Sequence, residues 1–256
     1  MVTPSFNQGK YLEETILSVL NQDYSEIEYI VIDGGSTDNS LEIIKKYQHQ
    51  FAYWVSEPDL GQTDAINKGF SHAKGQILAW INSDDVYYPG AISEAVEYLN
   101  GHPSTGMVYG ELDFINDKSE VIGKFNSVQT DLAKLRRGFV HIPQPSAFFR
   151  TKLWKRIGPL DPSFFFAMDY DLWIRLASIS RLDYFKGHVW AKFRLHSDGK
   201  TINSDDQCWP EMIRVHYRDG GRLISTIVLK YWIRRISAPW IHFRRERMLN
   251  LKTTSI

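Results

Sequence analysis

The chain has 256 residues, is 43% hydrophobic and 14% aromatic, and carries equal numbers of acidic and basic side chains; this suits one large packed domain or two small ones and excludes a disordered or fibrous chain. Its single cysteine, Cys208, excludes an internal disulfide framework and a Cys-rich metal site, and fits a reducing compartment. Residues 211–256 hold ten Lys or Arg against three Asp or Glu, so the body is acidic, which argues against nucleic acid as a partner and directs the basic tail towards an anionic surface.

Met1–Thr3 is a short apolar strand that meets Pro4, and it shows neither the basic n-region nor the apolar h-region of a signal peptide. Leu12, Ile16, Val19 and Leu20 then fall on one helical face. Tyr29–Asp33 is a buried-strand run, followed by a Gly-Gly-Ser-Thr-Asp turn in which Ser36 or Asp38 caps a helix through Leu41, Ile43, Ile44 and Tyr47. Strand Phe51–Val55, helix Asp64–Ala73, strand Gln76–Ile81 and helix Ala91–Leu99 continue the alternation, which implies a parallel sheet with right-handed crossovers. From Met107 the pattern is mixed, with strands at Met107–Phe114, Val121–Phe125, Ser146–Arg150 and Tyr184–Phe193 and helices near Thr151–Ile157 and Asp169–Ser180. Beyond Gly221, the residues Leu223, Ile224, Ile227, Val228, Tyr231 and Trp232 recur at helical spacing beside Arg222, Lys230, Arg234 and Arg235. After Pro239 come Trp240, Ile241 and Phe243, then Arg244, Arg245 and Arg247. This tail reads as a pair of amphipathic helices for a lipid headgroup boundary, with packing on the body or a homodimer contact as the alternatives. No run of 18 apolar residues exists, so no transmembrane span is expected, and the expected location is cytoplasmic with peripheral membrane attachment.

In open α/β sheets, ligands bind beyond the carboxyl ends of the strands. Here each end is polar: Ser5-Phe6-Asn7, Asp33-Gly34-Gly35-Ser36, Glu57-Pro58-Asp59 and Asn82-Ser83-Asp84-Asp85. Adjacent carboxylates repel unless a cation sits beside them, and a divalent ion shared with phosphates would satisfy Asp84 and Asp85. A polar turn with Asp85 capping the helix after Pro89 is the plainer reading. Asp33 either accepts from a ribose or a base, with Gly34 admitting a nucleotide close to the backbone, or belongs to a simple tight turn. Neither the Gly-x-Gly-x-x-Gly fingerprint nor a P-loop occurs. Asp169 and Asp171 open a helix, where carboxylates suit the dipole; read functionally, one is a general base whose pKa the apolar run Phe164–Met168 raises. His196 is a structural imidazole or a metal ligand, and Lys200 a phosphate partner. His141 and Gln144, in the loop His141–Pro145, face an acceptor or are simply loop.

Taken in order, Pro4-Ser-Phe-Asn7, Tyr29-Ile-Val-Ile-Asp33-Gly-Gly-Ser-Thr-Asp38, Ser56-Glu-Pro-Asp59 with Gly61-Gln-Thr-Asp-Ala-Ile-Asn-Lys-Gly69, Trp80-Ile-Asn-Ser-Asp-Asp85 and Asp169-Tyr-Asp-Leu-Trp-Ile-Arg175 resemble glycosyltransferase family 2. The resemblance runs from Pro4 to about Thr201 and implies an α/β, Rossmann-like GT-A fold: a mostly parallel central sheet flanked by helices, a mixed α+β acceptor half and a C-terminal amphipathic helical tail. Residues 1–110 would then be the nucleotide-sugar half, 111–210 the acceptor and catalytic-base half, and 211–256 the tail. Ser5, Asn7 and Asp33 would hold the nucleoside, with Pro4 and Gly34 beside them, and Asp84 the ribose, next to Asn82 and Ser83. Relatives often have a basic residue where this chain has Ile66, so phosphate contacts would move to Lys68 or Lys200, and Asp64 is counted with the same donor site. Asp85 and His196 would hold a magnesium or manganese ion. Asp169 matches the family's base; Met168 stands where many relatives have Glu, which keeps Asp171 as the alternative. His141, Gln144 and Trp173 are assigned to the acceptor.

The implied reaction is inverting transfer of a sugar from a nucleoside diphosphate sugar, UDP by default, to a hydroxyl of a carbohydrate or lipid-linked glycan, in cell-surface polysaccharide or lipopolysaccharide assembly. One rival is a non-catalytic sugar-nucleotide-binding protein, against which the carboxylate set argues. Another is a sugar nucleotidyltransferase, but Ser5–Lys10 offers one Gly and one Lys where that chemistry needs a loop rich in Gly, Arg and Lys.

Overall fold

The computed structural model describes residues 1–196, 199 and 205–236. Three short strands, β1 (Val2–Ser5), β2 (Ile30–Asp33) and β3 (Tyr53–Ser56), pair in parallel in the order β1-β2-β3. Helices α1 (Leu12–Leu20) and α2 (Ser40–Tyr47) are their crossovers, and α3 (Gln62–His72) follows β3. Residues 79–81 border the free edge of β1: the Val2 N–H donates to Ala79 O at 3.1 Å and the Ile81 N–H donates to Val2 O at 3.0 Å. The carboxyl ends of four extended segments therefore share one rim.

The expected strand Gln76–Ile81 is divided. Its first part, β4 (Ile77–Leu78), pairs antiparallel with β8 (Ala147–Arg150), and its second part bridges to β1 through Trp80. One segment thus joins two sheets. The second sheet runs β4-β8-β6-β9-β5, where β5 is Val86–Tyr87, β6 is Thr105–Ile115 and β9 is Arg181–Arg194; β7 (Val121–Lys124) pairs with β6. The boundary drawn between residues 110 and 111 falls inside β6, so the two halves share a sheet. Helices α4 (Ala91–Gly101), α5 (Leu132–Arg136), α6 (Thr151–Ile157), α7 (Met168–Ala177) and α8 (Asp205–Arg218) complete the body, and residues 226–236 are helical. The elements β5 and α5, two and five residues long, are too short to leave a periodic trace in the sequence.

Both sheet faces are covered. Ile30 and Ile32 pack with Ala65, Ile66 and Phe70 in one core, while Tyr29 and Val31 pack with Leu12, Ile16 and Val19 in the other. Strands buried on two sides read as continuous apolar runs, which is why these were legible. Of the tail, only residues up to 236 fall within the description; Trp240 to Arg247 lie outside it.

Candidate active site

The shared rim opens into a cleft of about 590 Å³. Pro4, Ser5 and Phe6 enter it from β1, Gly34 from β2, Asp59 from beyond β3, and Asn82, Ser83 and Asp84 from beyond residues 79–81. The other half supplies Gln144, Phe165, Phe166, Met168 and Asp169, and Arg194 from the end of β9.

The two adjacent carboxylates part ways. The antiparallel register of β5 on β9 sets Val86 opposite Lys192, so the chain before β5 runs alongside Arg194. Asp85 is wholly buried there and accepts from the Arg194 N–H at 3.0 Å and from Asn82 Nδ2 at 3.2 Å. Burial, and after it the neighbouring Asp84, push the Asp85 carboxyl well above the usual carboxylate range. Asp85 caps no helix either, because α4 begins after Gly90 without a side-chain cap. Asp84 is the member that reaches the cleft, with its side chain 20% exposed. Its Oδ2 lies 3.0 Å from His196 Nε2, and the imidazole sits behind it against the Tyr11 ring. Of the residues assigned to the metal, Asp85 is thus buried and His196 stands behind Asp84, the carboxylate of the pair that faces the cleft.

Arg194, which the sequence reading passed over, ties this corner together. Its buried guanidinium donates to Asp84 O (2.9 Å), Asn116 O (3.0 Å) and Glu14 (2.6 Å). Next to it, Gln62 Nε2 donates to Asn82 Oδ1 at 2.7 Å, and Gln144 Nε2 donates to Trp80 O at 2.8 Å. Gln144, assigned to the acceptor, lines the cleft beside Asn82.

Several expected donor residues serve the turns instead. The buried Asp33 carboxylate accepts from Ser36 N–H (2.9 Å), Ser36 Oγ (2.5 Å) and Ser56 Oγ (2.6 Å), which leaves it facing the turn and away from the cleft. Asn7 adopts a positive φ of 52° and holds the same turn, accepting from the Thr37 N–H at 2.8 Å. Asp64 accepts from the Leu60 N–H, and Lys68 is paired with Glu57 at 2.8 Å. An acid that does line the cleft on this side is Asp59, quoted in the sequence motif but given no role. A Cβ on Gly34 would stand 2.8 Å from Asp59 Oδ2 and would push that carboxylate aside. Ser5 Oγ is buried with no hydrogen-bond partner, a polar atom left to be explained at the edge of the cleft.

On the opposite half, Asp169 lines the cleft beside Phe165, Phe166 and Met168, while Phe164 is buried in the core. Asp171 is fully buried and ion-paired with Arg175 at 2.9 Å and with Arg218, so it is no alternative base. Trp173 is likewise core: 0% exposed and stacked on Trp80 with centroids 5.9 Å apart, it does not line the cleft. His141 bonds Asn126 O at 3.0 Å and does not line the cleft. Lys200 lies outside the described residues.

A divalent cation is tested against this donor set. No group of three His, Cys, Asp or Glu that could cage an ion exists among the described residues. One cleft-facing carboxylate steadied by an imidazole fits an ion that takes its remaining ligands from phosphate oxygens and water, the usual habit of magnesium.

A family model for glycosyl transferase family 2 matches residues 1–172. An "uncharacterized glycosyltransferase" of Mycobacterium tuberculosis is 35% identical over 182 residues, 70% of this chain and 68% of the relative. Another of Rickettsia typhi is 30% identical over 213 residues, 80% of this chain and 65% of the relative. Among solved structures, S. aureus TarS 1-349 in complex with UDP-GlcNAc superposes with a TM-score of 0.71 at 16% identity, covering 92% of this chain and 72% of TarS 1-349. The mannosyltransferase PcManGT from Pyrobaculum calidifontis, in complex with GDP-Man and Mn2+, gives 0.65 at 17% identity over 100% of this chain and 74% of its own. The fold is the GT-A fold that the sequence resemblance implied.

Proposed function

The chain belongs to glycosyltransferase family 2, and from that premise we propose an inverting transferase that moves a sugar from a UDP-sugar to an acceptor hydroxyl. The observation that carries this reading is the cleft itself, in which Asp84 from one half and Asp169 from the other line a single cavity. Ser5, Gly34 and Asp59 receive the nucleoside. Asp84, held by His196, is the residue that would bind a magnesium or manganese ion, which when present neutralises charge on the departing diphosphate. Asp169 takes the proton from the acceptor hydroxyl as that oxygen attacks the anomeric carbon. Phe165, Phe166 and Met168 keep water from the reacting atoms. A base without a covalent nucleophile implies inversion. The UDP-GlcNAc complex of TarS supports UDP as the default, and the Mn2+ complex of PcManGT supports the metal.

The acceptor is proposed to be a lipid-linked glycan of cell-surface polysaccharide or lipopolysaccharide assembly, met at the cytoplasmic face of a membrane. Leu223, Ile224, Leu229, Trp232, Ile233 and Ile236 are exposed, and Lys230, Arg234 and Arg235 accompany them. Apolar and aromatic side chains beside cations suit an anionic lipid surface. No helix among the described residues is long and apolar enough to cross a membrane.

Thermal unfolding with UDP, GDP, CDP and TDP, each with and without manganese, tests the donor site, because a ligand of the native state raises the midpoint by mass action. A manganese-dependent rise with UDP, lost in Asp84→Ala and kept in Asp169→Ala, is the expected result; no rise with any nucleotide would sink the reading. Separately, truncation after Gly220 is expected to abolish binding to vesicles containing anionic lipid, and retention on them refutes membrane attachment.

A further inference from the structure

Helix α7 begins beside the cleft with Asp169 in its first turn, and the first N–H groups of any helix lack partners within it. Its N-cap residue, Ala167, has no side chain to serve them. Of these, the Ala167 N–H, together with the two N–H groups that precede it in the turn, is served from α8. The Glu211 carboxylate accepts from the N–H groups of Phe165 (3.0 and 3.1 Å), Phe166 (2.7 Å) and Ala167 (2.8 Å). The same helix sends Arg214 to Ser163 O, with its guanidinium 4.2 Å from the centre of the Phe164 ring, and Arg218 to Asp161 (3.0 Å) and Asp171. Residues 161–171 are thus gripped along their length by a helix that lies beyond the stretch matched by the family model, which ends at residue 172.

We propose that Glu211 is a positioning residue for sugar transfer: it holds the Phe165–Ala167 turn so that Asp169 and the phenyl wall keep their place in the cleft. The inference rests on the reading of Asp169 as the acceptor base. A carboxylate suits the task because it presents acceptor oxygens only, enough for three converging N–H groups. An amide of the same shape offers one oxygen and turns an NH2 group against the remaining donors.

The full chain carrying Glu211→Gln is compared with the wild type by three readouts. Amide hydrogen exchange in peptides covering residues 163–170 is expected to accelerate tenfold or more, while peptides covering residues 29–33 stay unchanged. The manganese-dependent midpoint shift with UDP is expected to persist. Nucleotide release from UDP-GlcNAc or GDP-mannose is expected to lose at least tenfold in kcat with the donor KM within twofold; a cap that serves only the fold lowers the midpoint and leaves kcat alone. Glu211→Asp, which keeps the charge on a shorter arm, is expected to recover part of the rate, and it replaces the glutamine variant in every readout if that one does not fold. Unchanged exchange at 163–170, or faster exchange with an unaltered kcat, overturns the proposal. Release from neither donor by the wild type counts against the transferase reading instead, and the exchange comparison alone then decides whether Glu211 orders the turn.

Discussion

On the rim formed by the ends of β1, β2 and β3, polar groups are held from within that sheet and its loops: Asp33 by Ser36 and Ser56, Asn7 by the Thr37 N–H, Asp64 by the Leu60 N–H. The wall around Asp169 is held from far away, by Glu211 more than forty residues later and by Thr63, whose hydroxyl donates to Phe164 O about a hundred residues ahead. A rim braced within one small sheet tolerates loss of more distant structure. A wall assembled from three separate helices does not. The rim is therefore a property of the three-stranded sheet and its loops, and the wall a property of the whole fold.

The largest expected effect lies on the wall. Asp169→Asn is expected to lower turnover by about 10²–10⁴-fold, the usual contribution of a general base, with nucleotide binding kept. Equal losses of both would merge wall and rim into one unit and break the contrast. Trp173→Ala removes a fully buried ring from the Trp80–Phe149 cluster and is expected to cost about 3–5 kcal/mol in denaturant unfolding. Phe165→Ala, at an exposed ring, should stay within about 0.5 kcal/mol. On the rim, Asp33→Asn turns a buried carboxylate that accepts from three donors into an amide and is expected to cost about 1–3 kcal/mol of stability. Asp59→Asn should leave stability nearly unchanged and weaken UDP binding, read by titration calorimetry. If the two rim variants exchange these phenotypes, Asp33 and not Asp59 meets the nucleoside.

The same division separates what the sequence disclosed from what it hid. The strands with two buried faces announced themselves as apolar runs, and the motif order located the cleft by its strand ends. Which of two adjacent carboxylates turns inward depends on β9, more than a hundred residues away, so nothing near Asp85 could reveal its burial. Arg194 was hidden for the same reason. Trp173 misled because α7 is buried almost all round, from Met168 through Ile174, and such a helix shows no polar face from which to infer orientation. Lys68 looked like a phosphate cation until Glu57, eleven residues earlier, was seen to hold it. Asp59 was missed although its place at a strand end marked it, because the neighbouring Asp33 offered the more familiar candidate.

The two-residue ladder between β5 and β9 also sets an order of events during synthesis. Ribosomes deliver the chain from its amino end, and local contacts form before distant ones. A nascent chain that has emerged through α4 already owns the strands, the turns and the glycine gap of the rim. It lacks Arg194, His196 and Glu211, so Asp84 has no brace and Asp169 is not yet made. The polypeptide therefore acquires the strand-end rim well before it acquires the groups that brace Asp84 and the carboxylate proposed as the base.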